Sequence, residues 1–130
     1  VIGAEIGKAS ALKMCYAGYT KGTTALLCAV LASAQSLSVL DELKMQWTMD
    51  ESGLAEQAPR RATQVTQKAW RFGGEMEEIA STFQQAGVPS EFHKAAAEIY
   101  RRMAEFKDAP ALPSLAHVLN ALIQKSKQEK

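Results

Sequence analysis

The chain has 130 residues, with 15 Lys+Arg against 14 Asp+Glu and a formal net charge of +1 at pH 7. That length suits one domain with its own core, and 47% hydrophobic against 22% charged residues is the balance of a folded chain, not a disordered one. So small a net charge offers no global field to a phosphate backbone. The longest uncharged apolar run, Thr23 to Leu37, is interrupted by Ser33, Gln35 and Ser36 and falls short of the roughly 20 residues that cross a bilayer. Neither nucleic acid nor a membrane is expected as a partner.

Strict apolar–polar alternation is missing and proline occurs at only four positions, so an all-α fold of five or six helices is expected, one domain over 1–130. The first segment, from about Ala9 to Leu37, is rich in Ala and Leu, lacks proline and reads as one unusually long helix. Its apolar residues (Leu12, Cys15, Tyr16, Tyr19, Leu26, Leu27, Val30, Leu31) lie on more than one face, which places it centrally or against a second subunit. Gly18 and Gly22 fall on one face and leave room for a close approach, at a cost of about 1 kcal/mol each in helix propensity.

Ser38 with Asp41 reads as a helix start before Leu40, Leu43 and Trp47. Leu54, Ala58, Ala62, Val65, Ala69 and Phe72 then continue at helical spacing, with Pro59 expected to kink or restart the run and Gly73-Gly74 to end it. Met76, Ile79, Ala80 and Phe83 mark a helix stopped by Gly87 and Pro89. Ser90 is expected to cap a helix burying Phe92, Ala96, Ile99, Met103 and Phe106. Pro110 and Pro113 form a connector, Ser114 opens a last helix through Leu115, Val118, Leu119 and Leu122, and Lys125 to Lys130 read as a polar tail.

Cys15 and Cys28 make neither a disulfide framework nor a zinc site. On one helix they stand about 20 Å apart, beyond the roughly 7 Å a bridge allows. Free thiols and the lack of a secretory leader point to the cytoplasm. The start at Val1, not methionine, suggests a piece of a longer protein. No metal-binding or nucleotide-binding motif is visible, and His93 and His117 read as surface or cap residues.

The informative stretch is Gly7-Lys8-Ala9-Ser10-Ala11-Leu12-Lys13-Met14-Cys15-Tyr16-Ala17-Gly18. Lys13 falls amid small and apolar residues near the expected start of the long helix. Apolar surroundings and a helix N-terminus both disfavour a charged ammonium, and such a lysine can shuttle protons near neutral pH. Lys13, Ala17 and Lys21 follow each other along one face, with Tyr16 beside them. On periodicity alone, Lys13 reaching to water and Tyr16 filling core remains open.

This segment resembles the start of the helical C-terminal domain of the 6-phosphogluconate dehydrogenase and 3-hydroxyisobutyrate dehydrogenase superfamily. There, a long first helix carries a catalytic lysine in a pattern close to G-x-x-G-x-G-x-x-x-K-x-x-x-N. Gly7 and Lys13 match that pattern. Ala4 and Ala9 replace glycines, and Ala17 stands at the asparagine. Lys13-Met14-Cys15-Tyr16-Ala17-Gly18 is similar to the K-M-V-H-N-G of phosphogluconate dehydrogenases, with Tyr16 in the histidine position. Trp70-Arg71-Phe72-Gly73-Gly74-Glu75-Met76-Glu77-Glu78-Ile79 resembles a less-characterised, phosphogluconate-dehydrogenase-like branch. The likeness spans roughly Gly7 to Phe106.

The resemblance implies a helical domain that holds substrate and builds a homodimer through its first helix, with NAD or NADP bound by an N-terminal Rossmann domain absent from this chain. Lys13 would take the proton of a substrate hydroxyl, and Gly7, Tyr16, Ala17 and Glu75 would lie on the substrate side. Glu75 stands where the family carries a lysine of a Lys-Asp pair, which reverses the local charge, and a solvated cluster of Glu75, Glu77 and Glu78 is the plainer alternative. Ala17 cannot hydrogen-bond through its side chain, so a substrate handled unlike phosphogluconate is expected. A different reading is a self-contained helical interaction module without catalysis. Nucleic-acid binding through Arg60-Arg61 and Arg101-Arg102 lacks interleaved aromatics.

Overall fold

The structure is a computed structural model and describes residues 2–123, with side chains from Glu5 onward. Six α-helices follow in order: α1 (Ile2–Ser36), α2 (Leu40–Met49), α3 (Leu54–Gln64), α4 (Ala69–Gln85), α5 (Glu91–Arg102) and α6 (Leu115–Leu122). Short 3-10 turns at Val65–Gln67 and Ala104–Phe106 join α3 to α4 and follow α5. The described residues contain no strand, so the fold is all-α with a long first helix. No helix among them is long and apolar enough to cross a membrane.

The core lies between α1 and the helices packed around it, α3, α4, α5 and α6. Leu31, Met76, Ile79, Tyr100, Met103, Val118 and Leu119 are its largest fully enclosed side chains, with Cys28 among them. Tyr100 meets Phe72 edge to face, ring centroids 5.2 Å apart, a favoured arrangement for aromatic pairs.

Several boundaries differ from the sequence expectation, each for a local reason. α1 begins at Ile2, well before Ala9, because its first turns hold no proline and Gly3 and Gly7 weaken the helix without stopping it, and it runs for 35 residues. Ser38 does not open α2. It takes φ 62° and ends α1, with Val39 N–H donating to Ala34 O and Ser38 N–H to Gln35 O, the six-to-one and five-to-two pairing of a Schellman stop. Val39 is the residue before α2, and no side chain caps that helix. Gly87, φ 84°, ends α4 in the same way as expected, with Val88 N–H donating to Phe83 O.

Pro59 sits inside an unbroken α3, and the run from Leu54 to Phe72 divides instead at Val65–Gln67. Gly73 and Gly74 lie within α4 and do not end it. Gly73 is buried against α5, where an added Cβ would meet Arg101 Cγ at 3.1 Å, so this glycine serves helix contact. Ser90 precedes α5 but makes no capping hydrogen bond through its side chain, whereas Ser114 caps α6 by accepting from His117 N–H at 3.1 Å.

α5 and the turn after it bury Ala96, Met103 and Phe106 as expected, with Ile99 half-buried, but not Phe92. Phe92 is 76% exposed, and His93, Ala96, Ala97 and Tyr100 turn inward. His93 is therefore no surface residue. His117 remains exposed, resting edge-on against Phe106.

The outer face of α1 is also apolar. Leu12, Tyr16, Tyr19 and Leu26 are 62 to 72% exposed. With Thr23 and Val30 they step by four and three residues in alternation, the spacing of a helix-pairing seam. The opposite face of the same helix carries the buried Ala25, Cys28, Leu31 and Ala32.

Candidate functional site

Four side chains from three other helices converge on the middle of α1. His93 Nε2 lies 3.0 Å from Gly18 O. A carbonyl can only accept, so Nε2 carries the proton, and Nδ1 is left buried without a partner among the described residues. The Tyr100 hydroxyl donates to Lys21 O at 2.6 Å. Arg61, from α3, donates to Thr24 Oγ1 at 2.5 Å and to Thr23 Oγ1 at 3.0 Å. Lys21 Nζ pairs with Glu75 Oε1 of α4 at 2.5 Å, and also sits 4.4 Å from the centroid of the Phe72 ring.

The two glycines singled out by their spacing make this convergence possible. A Cβ on Gly22 would stand 3.0 Å from His93 Nε2, and one on Gly18 would stand 3.3 Å from both Ile79 Cγ2 and Phe83 Cζ. The His93 ring occupies the space the glycines leave, and Phe83 braces it edge-on at 4.7 Å between ring centroids.

The surroundings also tune two acids. Burial pushes the Cys28 thiol up to about 12, opposed by the positive charge of Arg61. Burial likewise raises Tyr100, with Cys28 and Glu75 adding to the rise and Arg61 opposing it. Both groups stay protonated at neutral pH, so neither is a nucleophile or base there. Cys15 is exposed.

The sequence candidates do not all share one place. Lys13 is exposed, and it has no acidic partner among the described residues. The α1 N-terminus lies about 16 Å of helix rise away, because the helix begins at Ile2. Neither the apolar surround nor the helix N-terminus expected at Lys13 is therefore found around it. Ala17, half-buried, and Lys21 continue its stripe at steps of four, and Glu75 joins that stripe through Lys21. Glu75 is thus a paired mid-helix residue of α4, not part of a solvated N-terminal cluster. Tyr16 stands on the outer apolar seam, and Gly7 is exposed with nothing within 4 Å of a Cβ placed on it.

Arg61, His93 and Tyr100 were not singled out from sequence as residues of this cluster. The Gly18/Gly22 spacing signalled that something approaches α1 closely, without naming it. Thr20, Thr23 and Thr24, polar residues on a largely apolar helix, are the signal from which a polar guest on α1 could have been read.

The arginine pairs are largely engaged within the protein. Arg101 pairs with Glu77. Arg102 pairs with Glu98 at 2.9 Å and donates to Leu122 O. No group of three or more His, Cys, Asp or Glu residues gathers in a metal-holding arrangement among the described residues.

A family model described as a domain of unknown function, DUF1932, matches residues 34–103. That span is just over half of the chain and runs from the end of α1 through α5, leaving Lys13 outside it. No curated protein and no solved structure matches.

Proposed function

The chain belongs to the DUF1932 family, and we propose that it is the substrate-side, dimer-forming helical domain of an NAD(P)-dependent oxidoreductase acting on the CH–OH group of a hydroxy-acid-like substrate. The observation that carries this reading is Lys13: an exposed amine without an acidic partner among the described residues, one and two turns from Ala17 and Lys21 on a single stripe of the longest helix. The resemblance of Lys13-Met14-Cys15-Tyr16-Ala17-Gly18 to the lysine helix of the 6-phosphogluconate and 3-hydroxyisobutyrate dehydrogenase superfamily supports it.

NAD or NADP, when bound, supplies hydride acceptance. The described residues hold no strand and no glycine-rich strand–helix turn to cradle a dinucleotide, so in this reading a separate domain holds it. What this chain contributes is a proton acceptor. In this reading the Lys13 amine, exposed in this chain alone, is covered by the cofactor domain or a second copy. Its neutral form there accepts a hydrogen bond from the substrate hydroxyl, takes its proton as the carbonyl forms and returns it in the reverse direction. Such a group is typically worth 10² to 10⁴ in rate. Lys21 and Glu75 border the same stripe, and Ala17 leaves space where an amide would stand. The free thiols accord with a cytoplasmic setting.

Lys13→Ala in the full-length protein is the test. The expected result is a loss of about 10²-fold or more in kcat with cofactor affinity unchanged. A variant within threefold of wild type overturns the assignment.

The outer seam of α1 favours a second reading, a helical dimerisation module without catalysis. Both readings bury that seam against a second copy. They part at Lys13, where a packing module tolerates Met and a dehydrogenase does not.

A further inference from the structure

Arg61 is half-buried under α1, and its guanidinium meets only neutral oxygens. Nε reaches Thr24 Oγ1 at 3.1 Å, and Nη2 reaches Thr24 Oγ1 at 2.5 Å, Thr23 Oγ1 at 3.0 Å and Thr20 O at 3.5 Å. The two hydroxyls spend their own protons elsewhere, Thr23 on Tyr19 O at 2.7 Å and Thr24 on Thr20 O at 3.2 Å. Both oxygens are therefore fixed as acceptors for the arginine.

No carboxylate pairs with Arg61 among the described residues, whereas Lys21, Arg101 and Arg102 each have one. Nη1 has no partner among those residues. A partly desolvated cation without a counter-charge is costly. Here the guanidinium plane is held by threonines instead of being neutralised. A guanidinium fixed in this way is prepared for a planar or tetrahedral anion, because less side-chain freedom remains to be lost on binding.

We propose that Arg61, through Nη1, binds the anionic group, carboxylate or phosphate, of a small molecule lying along the α1 stripe Lys13–Ala17–Thr20–Thr24. Lys13 and Thr20 are seven residues apart, about 10 Å of helix rise. A ligand a few carbons long, anchored at Arg61, therefore extends toward the Lys13 amine. The extension rests on the Lys13 reading; the anion site stands on Arg61 and its threonines alone.

The test is a titration of the chain with inorganic phosphate and, separately, with succinate, at constant ionic strength made up with chloride. The side-chain N–H resonances of Arg61 and the amides of Thr20 to Thr24 are followed by NMR. The expected result is a saturable shift of the Arg61 signals. Arg61→Lys, which keeps the charge and removes the fork, weakens binding at least fivefold, and Arg60→Gln, at the exposed neighbour, changes it less than twofold. A response to phosphate alone assigns a phosphate ligand, to succinate alone a carboxylate, and to both a general oxyanion site. Shifts that do not saturate, or equal binding by Arg61→Lys, overturn the proposal. If Arg61→Lys fails to fold, the wild-type Arg61 resonances still report the contact. Failure here leaves the Lys13 kinetics untouched, and failure at Lys13 leaves the phosphate titration untouched.

Discussion

His93 Nε2 stands 3.0 Å from the carbonyl oxygen of Gly18 and 3.0 Å from the point where a Cβ on Gly22 would lie. One imidazole edge thus reads two glycines one turn apart, and α1 and α5 are locked at that crossing.

Gly22→Ala pushes against this ring. The methyl gains about 1 kcal/mol in helix propensity but overpacks a filled contact, which costs about 1–3 kcal/mol. A net destabilisation is expected. Gly74→Ala faces open space in mid-α4, with nothing within 4 Å of the new Cβ, and is expected to stabilise by up to about 1 kcal/mol. Urea unfolding of the two variants checks the opposite signs; a stabilised Gly22→Ala contradicts the packing described.

Alkaline pH separates the thiols and the fold. The Cys28 pKa rises from 9.0 to about 12 on folding, so between those values the unfolded chain releases a proton that the folded chain keeps. Stability is therefore complete below about pH 9 and falls as pH rises through this window, with a ceiling of about 1.4 kcal/mol per pH unit per group. Tyr100, also raised, steepens the fall at higher pH. Cys28→Ala flattens this limb, measured by urea midpoints from pH 8 to 11. Under native conditions a thiol reagent modifies Cys15 and spares Cys28.

The seam on α1 predicts self-association. Tyr19 and Leu26 are each more than half exposed in the single chain, so replacing either with Glu leaves the monomer fold intact. Sedimentation is expected to show a dimer for wild type and a shift to monomer for Tyr19→Glu or Leu26→Glu, with unchanged helical content. A wild-type chain that stays monomeric at tens of micromolar removes the seam as an interface.

Two polar contacts to α1 should differ in value. Lys21 and Glu75 are about one-third exposed, 31% and 38%, so Glu75→Gln is expected to cost less than about 1 kcal/mol, and less again in high salt. The Tyr100 hydroxyl is enclosed, and Tyr100→Phe is expected to cost about 0.5–1.5 kcal/mol independently of salt. Thermal unfolding at two ionic strengths distinguishes them.

Helix content and order were legible in the sequence because composition and period carry them: Ser114 as a cap, Gly87 as a stop and an unusually long first helix were all read there, though the start of that helix at Ile2 was not. Chain ends of helices were less so. Ser38 has the side chain of an N-cap, yet its left-handed backbone ends the preceding helix, a choice made by hydrogen bonds to Ala34 and Gln35 that no local pattern displays. Phe92 looked like a core residue by type. His93, one position on, takes the interior instead, because two glycines on another helix leave a cavity shaped for it. Gly73-Gly74 resembled a break, and only the approach of Arg101 shows why one of them is there. The site was legible as a stripe on α1. Its Arg61, Tyr100 and His93 come from positions 37 to 79 residues away in sequence, where spacing carries no signal.

The residues of α1 from Glu5 through Lys13 are all exposed. Turns of helix without tertiary support are held mainly by propagation from the packed part, and short unsupported helices are marginal in water. Lys13 thus rides at the root of an uncovered rod, and its amine is only as well aimed as the body that comes to rest on that rod. Assembly would therefore act as a safety catch: on the proposed function, the Lys13 amine acquires its fixed orientation only once another surface has closed over it.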